Sequence, residues 1–240
     1  MRFPSRNVVG VAVAVLVAAA VVALARSGPV VVHEERTAFQ LIRVVDDGDR
    51  RCLRFGEELQ LNQSCRSLTH PERIELAYAR VVLERIEALQ PVPQRVLIIG
   101  LGGASLPNAL VAAHPHIAID AVELDPQVIA VAEKYFAFVQ TPTVRAHAGD
   151  GASFIADAAH RDARYDLVIM DAFDDDGIPP ALYSRALLEN VRTLLGERGT
   201  FIANTIETSS GRELELTREV FGPQVEVTAS GKNRILSTRR

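Results

Sequence analysis

Beyond Arg95 the chain alternates short, mostly apolar runs with longer amphipathic ones. An apolar run without a polar face suits a strand buried on both sides, and such strands occur in parallel sheets covered by helices. The spacing predicts strands over 96–99, 117–122, 144–148, 167–170 and 200–204. Helices are expected between them, over 106–113, 126–136, 151–159, 180–195 and 212–221. The chain then closes with strands over 225–228 and 235–238 around the turn Gly231-Lys232-Asn233. That antiparallel ending distinguishes the sheet from a dinucleotide-binding one, which normally continues parallel.

Open α/β sheets bind ligands at the carboxyl ends of their strands, and here successive strand ends carry distinctive residues. The first runs into Gly100-Leu101-Gly102-Gly103, whose glycines let the backbone turn tightly, approach a ligand and present the next helix's N-terminus. A dinucleotide fingerprint would place a third glycine where Ser105 stands, which argues against NAD. The second ends in Glu123-Leu124-Asp125-Pro126, placing an acid about 20 residues after the first glycine, where a carboxylate accepts both ribose hydroxyls. Asp125 precedes a proline and is read as a helix N-cap, which leaves Glu123 as the binding candidate. The third carries Gly149-Asp150-Gly151. Asp150 there suits an adenine amino group and equally suits a helix N-cap. The fourth delivers Asp171 and Asp174, then Asp175, Asp176 and Gly177. A carboxylate at this end can take a proton from an amine or hold an ammonium group. Together these ends predict a nucleoside site on an α/β, Rossmann-like methyltransferase sheet, mostly parallel with a C-terminal antiparallel hairpin. The acidic run lacks EF-hand spacing and the histidines lack ligand spacing, so no metal is expected.

The N-terminal part reads differently. Arg2 and Arg6 precede an unbroken apolar run over 8–25, followed by Arg26, Ser27, Gly28 and Pro29. At roughly 18 residues the run is near the lower limit for crossing a bilayer, and Ala23-Leu24-Ala25 also resembles a signal cleavage site. Three readings stand: a single membrane anchor, a cleaved export signal, or a misassigned start that leaves a cytoplasmic protein. Retaining Arg2 and Arg6 inside would put the main domain on the far face, a bias that Arg26 and Arg36 weaken. The expected division is 1–29 for the apolar segment, 30–90 for a small antiparallel β region with a linking helix, and 91–240 for the nucleoside-binding domain. The β region is predicted from 39–45, 51–55 and 59–63, and the helix from a capping box at Thr69-His70-Pro71-Glu72 through Leu89. Cys52 and Cys65 form no CxxC or Cys/His cluster, so no structural zinc is expected. With the hairpin turn near Glu57, Cys52 would face Asn62, and two unpaired thiols are expected. With 30 acidic against 26 basic residues and no basic tract, nucleic acid is not expected as a partner.

The motifs in order resemble the spermidine synthase (polyamine aminopropyltransferase) family, from about His33 to Leu236. TAFQLIRVV, RRCLRF and LQLNQS resemble its N-terminal hairpins, and the helix holding Tyr78 matches the one that follows them. RVLIIGLGG, AVELDP, AGDG and YDLVIMDAFDDD resemble its core. The resemblance implies that Gln40, Glu123, Asp150 and Gly151 hold the thioadenosine of an S-adenosylmethionine-type cofactor, and that Gly100, Gly102 and Gly103 wrap its sulfonium end. It also implies that Asp174 accepts the amine's proton with Asp171 assisting. The cofactor would be decarboxylated S-adenosylmethionine or S-adenosylmethionine, the substrate a small amine, and a homodimer is a mild expectation.

The chain departs from the pattern on the amine side. Gly103 stands where the family carries an acid in its glycine loop, Ala79 replaces a histidine, and Asp175 replaces a proline. The nucleoside half is kept. The expected function is therefore a spermidine synthase-like transferase moving an aminopropyl or other alkyl group; the alternatives are an S-adenosylmethionine-dependent methyltransferase and a catalytically silent nucleoside-binding protein.

Overall fold

The computed structural model describes residues 28–57, 62–173, 178–208 and 210–240. The apolar run 8–25 and Asp174 to Asp176 lie outside the described residues. Among the described residues no helix is long and apolar enough to cross a membrane.

A small antiparallel sheet forms from β1 (Val30–Arg36), β2 (Leu41–Asp47), β3 (Arg50–Phe55) and β4 (Asn62–Ser67), in that order. Its buried face places Ile42, Val44 and Leu53 against Val128, Val131 and Phe136 of the larger domain, which fixes the small sheet over one side of the strand ends.

The pairing of β3 with β4 corrects the expectation of free thiols. Arg54 faces Asn62, and a bulge then shifts the register so that Cys65 lies directly opposite Cys52, where the two form a disulfide. Symmetry about Glu57 would set Arg54 against Gln60; its pairing with Asn62 shifts the register by two residues, and the inserted residue in β4 shifts it by one more. A second correction concerns α1, which spans Ala77–Glu87 and does not begin at Thr69. Asp49 accepts hydrogen bonds from both the N–H and hydroxyl of Thr69, Ser67 Oγ accepts the N–H of His70, and Ile74 bridges to Arg66. The apparent capping box is used instead to fold this segment back onto the small sheet.

The large sheet contains β5 (Arg95–Ile99), β6 (Ala118–Glu123), β7 (Val144–Ala148), β8 (Tyr165–Met170), β9 (Leu195–Ile206), β10 (Glu226–Ser230) and β11 (Asn233–Arg239). Their order is β10-β11-β9-β8-β5-β6-β7; the last five are parallel, while β11 runs antiparallel to both neighbours. This is the Rossmann-like methyltransferase arrangement read from the sequence. The order reverses between β5 and β8, the position at which open α/β sheets leave a crevice. Alternate residues of β5 serve two cores: Val96 and Ile98 pack on one face, Leu97 and Ile99 on the other.

The connecting helices are α2 (Ser105–Ala113), α3 (Pro126–Tyr135), α4 (Gly151–His160), α5 (Arg185–Leu194) and α6 (Ser210–Phe221). Asp125 caps α3 through the N–H of Gln127 at 2.9 Å, and Pro126 opens the helix. The single helix expected over 180–195 is two elements: a 3-10 turn, Pro180–Leu182, precedes α5. Ser184 is extended between them and caps α5 through Leu187 N–H, which breaks the helical run.

Candidate active site at the strand ends

Four strand ends are tied side by side through their backbones. Gly100 N–H donates to Val122 O, Asp171 N–H to Ile99 O, and Gly149 N–H to Glu123 O, at 2.8 to 2.9 Å. The candidates at the ends of β5, β6, β7 and β8 therefore occupy one edge of the sheet in the spatial order Asp171, Gly100, Glu123, Asp150.

Gly100 has φ +96°, and a Cβ there would stand 2.2 Å from the carbonyl oxygen of Asp171. Only glycine permits the ends of β5 and β8 to touch in this way. Gly151 serves a similar purpose at the start of α4, where a Cβ would meet Ile99 Cγ2 at 2.6 Å. At Gly103 a Cβ would meet the Ser64 Cβ at 2.7 Å and Phe136 at 3.0 Å, and Ser64 Oγ accepts the Gly103 N–H at 2.9 Å. The loop position at which the resemblance leads one to expect an acid is thus packed from β4 by a serine.

Glu123 is half-buried beneath the glycine loop. Its carboxylate accepts the N–H groups of Leu101 at 3.0 Å, Gly102 at 3.4 Å and Asp125 at 3.2 Å. Burial raises its pKa from the ordinary value, and those three N–H groups oppose the shift. Asp150 is exposed and caps α4, accepting from Ser153 N–H at 2.8 Å and Ser153 Oγ at 2.7 Å. One oxygen, Oδ1, accepts both bonds.

Gln40 sits at the end of the turn between β1 and β2. Thr37 anchors that turn: its hydroxyl donates to the buried Asp125 carboxylate at 2.6 Å and accepts the Gln40 N–H at 3.1 Å. The small sheet is in this way pinned two residues beyond Glu123. Opposite, Asp171 Oδ1 accepts from Asn204 Nδ2 at 2.8 Å and Oδ2 from Tyr78 OH at 3.1 Å. Burial lifts the Asp171 carboxyl to about 6, with both hydrogen bonds opposing the rise. Burial and the Asp171 charge likewise push the Tyr78 hydroxyl well above its ordinary value. A cavity of about 10 Å³, roughly the space of one water, lies among Ser64, Tyr78, Gly100, Ser105 and Asp171. Asp174 belongs to the segment outside the described residues.

Thr37, Ser64, Asn204 and Asn233 were not singled out by sequence reasoning. Asn204 carried a signal, being a polar residue at the carboxyl end of an apolar strand; the others depend on which distant segment meets the strand ends. No group of acids, histidines or cysteines that could hold a metal ion occurs among the described residues.

A family model, the spermine/spermidine synthase domain, matches residues 75–226. The polyamine aminopropyltransferase of Vibrio vulnificus is 35% identical over 215 residues, 86% of this chain and 71% of that protein. Among solved structures, human methyltransferase-like protein 13 in complex with SAH is 31% identical, with a TM-score of 0.59 over 67% of this chain and 78% of its own. A spermidine synthase in complex with the transition state analogue AdoDATO is 19% identical, with a TM-score of 0.70 over 87% of this chain and 73% of its own. The matched span contains the glycine loop, Glu123, Asp150 and Asp171, and on these grounds the chain belongs to the spermine/spermidine synthase family.

Proposed function

We propose that the protein is a transferase that moves an aminopropyl group from decarboxylated S-adenosylmethionine to a small amine. The observation that carries this reading is the line of strand ends, with Glu123 and Asp150 on one side of the glycine loop and a half-buried carboxylate, Asp171, on the other. The residues present fit such a cofactor: glycines stand where a Cβ would close the loop, and two carboxylates suit ribose hydroxyls and an adenine amino group. The bound sulfonium supplies an activated carbon and a neutral thioether leaving group. The chain's own residues orient both reactants and remove a proton. As the amine nitrogen bonds to the carbon next to sulfur, the carbon–sulfur bond breaks and the surplus proton passes to a carboxylate. Asp174 is that acceptor by resemblance, with Asp171 assisting.

A second reading, methyl transfer from intact S-adenosylmethionine, is favoured by one observation. Ser64 and Phe136 leave no room for a side chain at Gly103, so the loop offers no carboxylate to balance an isolated ammonium. Calorimetry with both cofactors, followed by mass spectrometry of a diamine acceptor, separates the readings. Aminopropyl transfer adds the mass of a three-carbon amine, methyl transfer that of one carbon. Binding of neither compound removes both readings.

We also propose that the apolar run 8–25 anchors the protein in a membrane with the α/β domain on the oxidising side. The Cys52–Cys65 disulfide supports this placement, because such bonds persist in oxidising compartments. Arg2 and Arg6 before the run support it as well. Fractionation, N-terminal sequencing and thiol labelling of the native protein test it. Two freely labelled thiols in a soluble fraction would refute the placement.

A further inference from the structure

The Asp171 carboxylate is held by a chain of side chains that ends in the last hairpin. Asn233 Nδ2 donates to Asn204 Oδ1 at 2.9 Å, and Asn204 Nδ2 donates to Asp171 Oδ1 at 2.8 Å. Register explains the alignment. Asn204 pairs with Ile235 and Asn233 with Ile206, so the two asparagines are diagonal neighbours on β9 and β11. Met170 pairs with Ala203, which brings Asp171, the next residue, beside Asn204. The turn before Asn233 is strapped to β9 by Glu207 N–H donating to Lys232 O at 2.8 Å.

We infer that Asn204 and Asn233 are positioning residues for Asp171: Asn233 fixes the Asn204 amide with its nitrogen toward the carboxylate, and so determines which way Asp171 faces its substrate. This inference rests on the transferase reading given above. An amide has a donor end and an acceptor end of nearly equal size, and Asn204 is buried, with 2% of its surface exposed. Turned over, its oxygen would face Asp171 Oδ1, leaving two acceptors in contact with no proton between them. The donor from Asn233 to Asn204 Oδ1 adds a second bond that the turned-over amide would lose. Among the described residues, Tyr78 from α1 is the titratable side chain bonded to Asp171, and it holds the other carboxylate oxygen. Asn204 therefore controls the oxygen that Tyr78 does not.

The decisive comparison is N204A, N233D and N233A in the full chain, observed by carboxyl 13C NMR and by the pH dependence of kcat. An aspartate at 233 offers an acceptor and turns the Asn204 amide over, whereas alanine removes the donor and leaves the amide free. The NMR titration midpoint of Asp171 should rise by about one unit in N204A and N233D, and by less in N233A. The acid limb of kcat should move with it, kcat near neutral pH should fall about tenfold, and methylthioadenosine affinity should stay within about twofold. Unmoved Asp171 midpoints in both N204A and N233D would overturn the inference. Because N233D changes a half-buried hairpin residue, it tests the idea even if N204A does not fold. A wild-type protein that binds cofactor but transfers nothing defeats the transferase reading alone, since the NMR midpoints still report on the relay.

Discussion

The carbonyl oxygen of Asp171 occupies the space that a side chain on Gly100 would need, with only 2.2 Å to an ideal Cβ. The contact joins the two strand ends at which the sheet order reverses. Both partners are backbone at the ends of buried strands, tied to them by hydrogen bonds, so neither can move aside cheaply. G100A should cost about 2–4 kcal/mol, combining overlap with an unfavourable positive φ. It should also abolish cofactor binding. Urea unfolding and calorimetry measure the two effects.

Asp171 makes the fold sensitive to pH in a direction opposite to most carboxylates. Its folded value is about 6 against an ordinary 3.8, so the folded state holds the proton more tightly than the unfolded chain. Its contribution to stability is greatest below about 3.8 and is lost as pH rises through about 6. D171N removes the charged form. At neutral pH the variant should be more stable than wild type by about 1–3 kcal/mol, less whatever its altered bonds to Tyr78 and Asn204 cost. That advantage should fade in denaturant titrations toward pH 4, while turnover is lost at every pH.

Thr37 connects the small sheet to the nucleoside side of the site through the buried carboxylate of Asp125. T37V keeps the shape and removes the hydroxyl. The expected cost is about 1–3 kcal/mol for the charged partner left without its donor. The turn bearing Gln40 should loosen as well. Adenosyl-cofactor affinity should therefore weaken while kcat at saturation changes little, which a KM and kcat comparison resolves.

The disulfide lies in the same strand as Ser64, whose hydroxyl holds the glycine loop. Replacing both cysteines with alanine should lower stability by about 2–3 kcal/mol. Thermal unfolding of the double variant, beside wild type with and without reductant, measures this. Reduced wild type should approach the variant.

The strand ends were legible because their information is local. A glycine, an acid or a capping residue at a strand end specifies its own backbone, and the alternation beyond Arg95 orders those ends across the sheet. Strand β1 was not anticipated: Val30 to Val32 remain exposed and give no two-sided pattern. Thr69-His70-Pro71-Glu72 has the letters of a helix start, but Asp49, distant in sequence, takes the groups that capping would have used. The cysteine pairing turned on a two-residue offset in the β3–β4 pairing and one inserted residue in β4, neither of which periodicity records. Ser64 and Asn233 became relevant only when sheet register brought them to the site.

The bulge in β4 also has an evolutionary reading. Deleting the extra residue would leave a regular ladder with Cys65 still opposite Cys52, whereas a one-position slip of β4 against β3 would separate the cysteines and turn Ser64 away from Gly103 in a single event. Two features with unrelated chemistry, a covalent bridge and a hold on the loop, are thereby inherited together. Homologues that lose one through a change of register in this hairpin should lose the other as well.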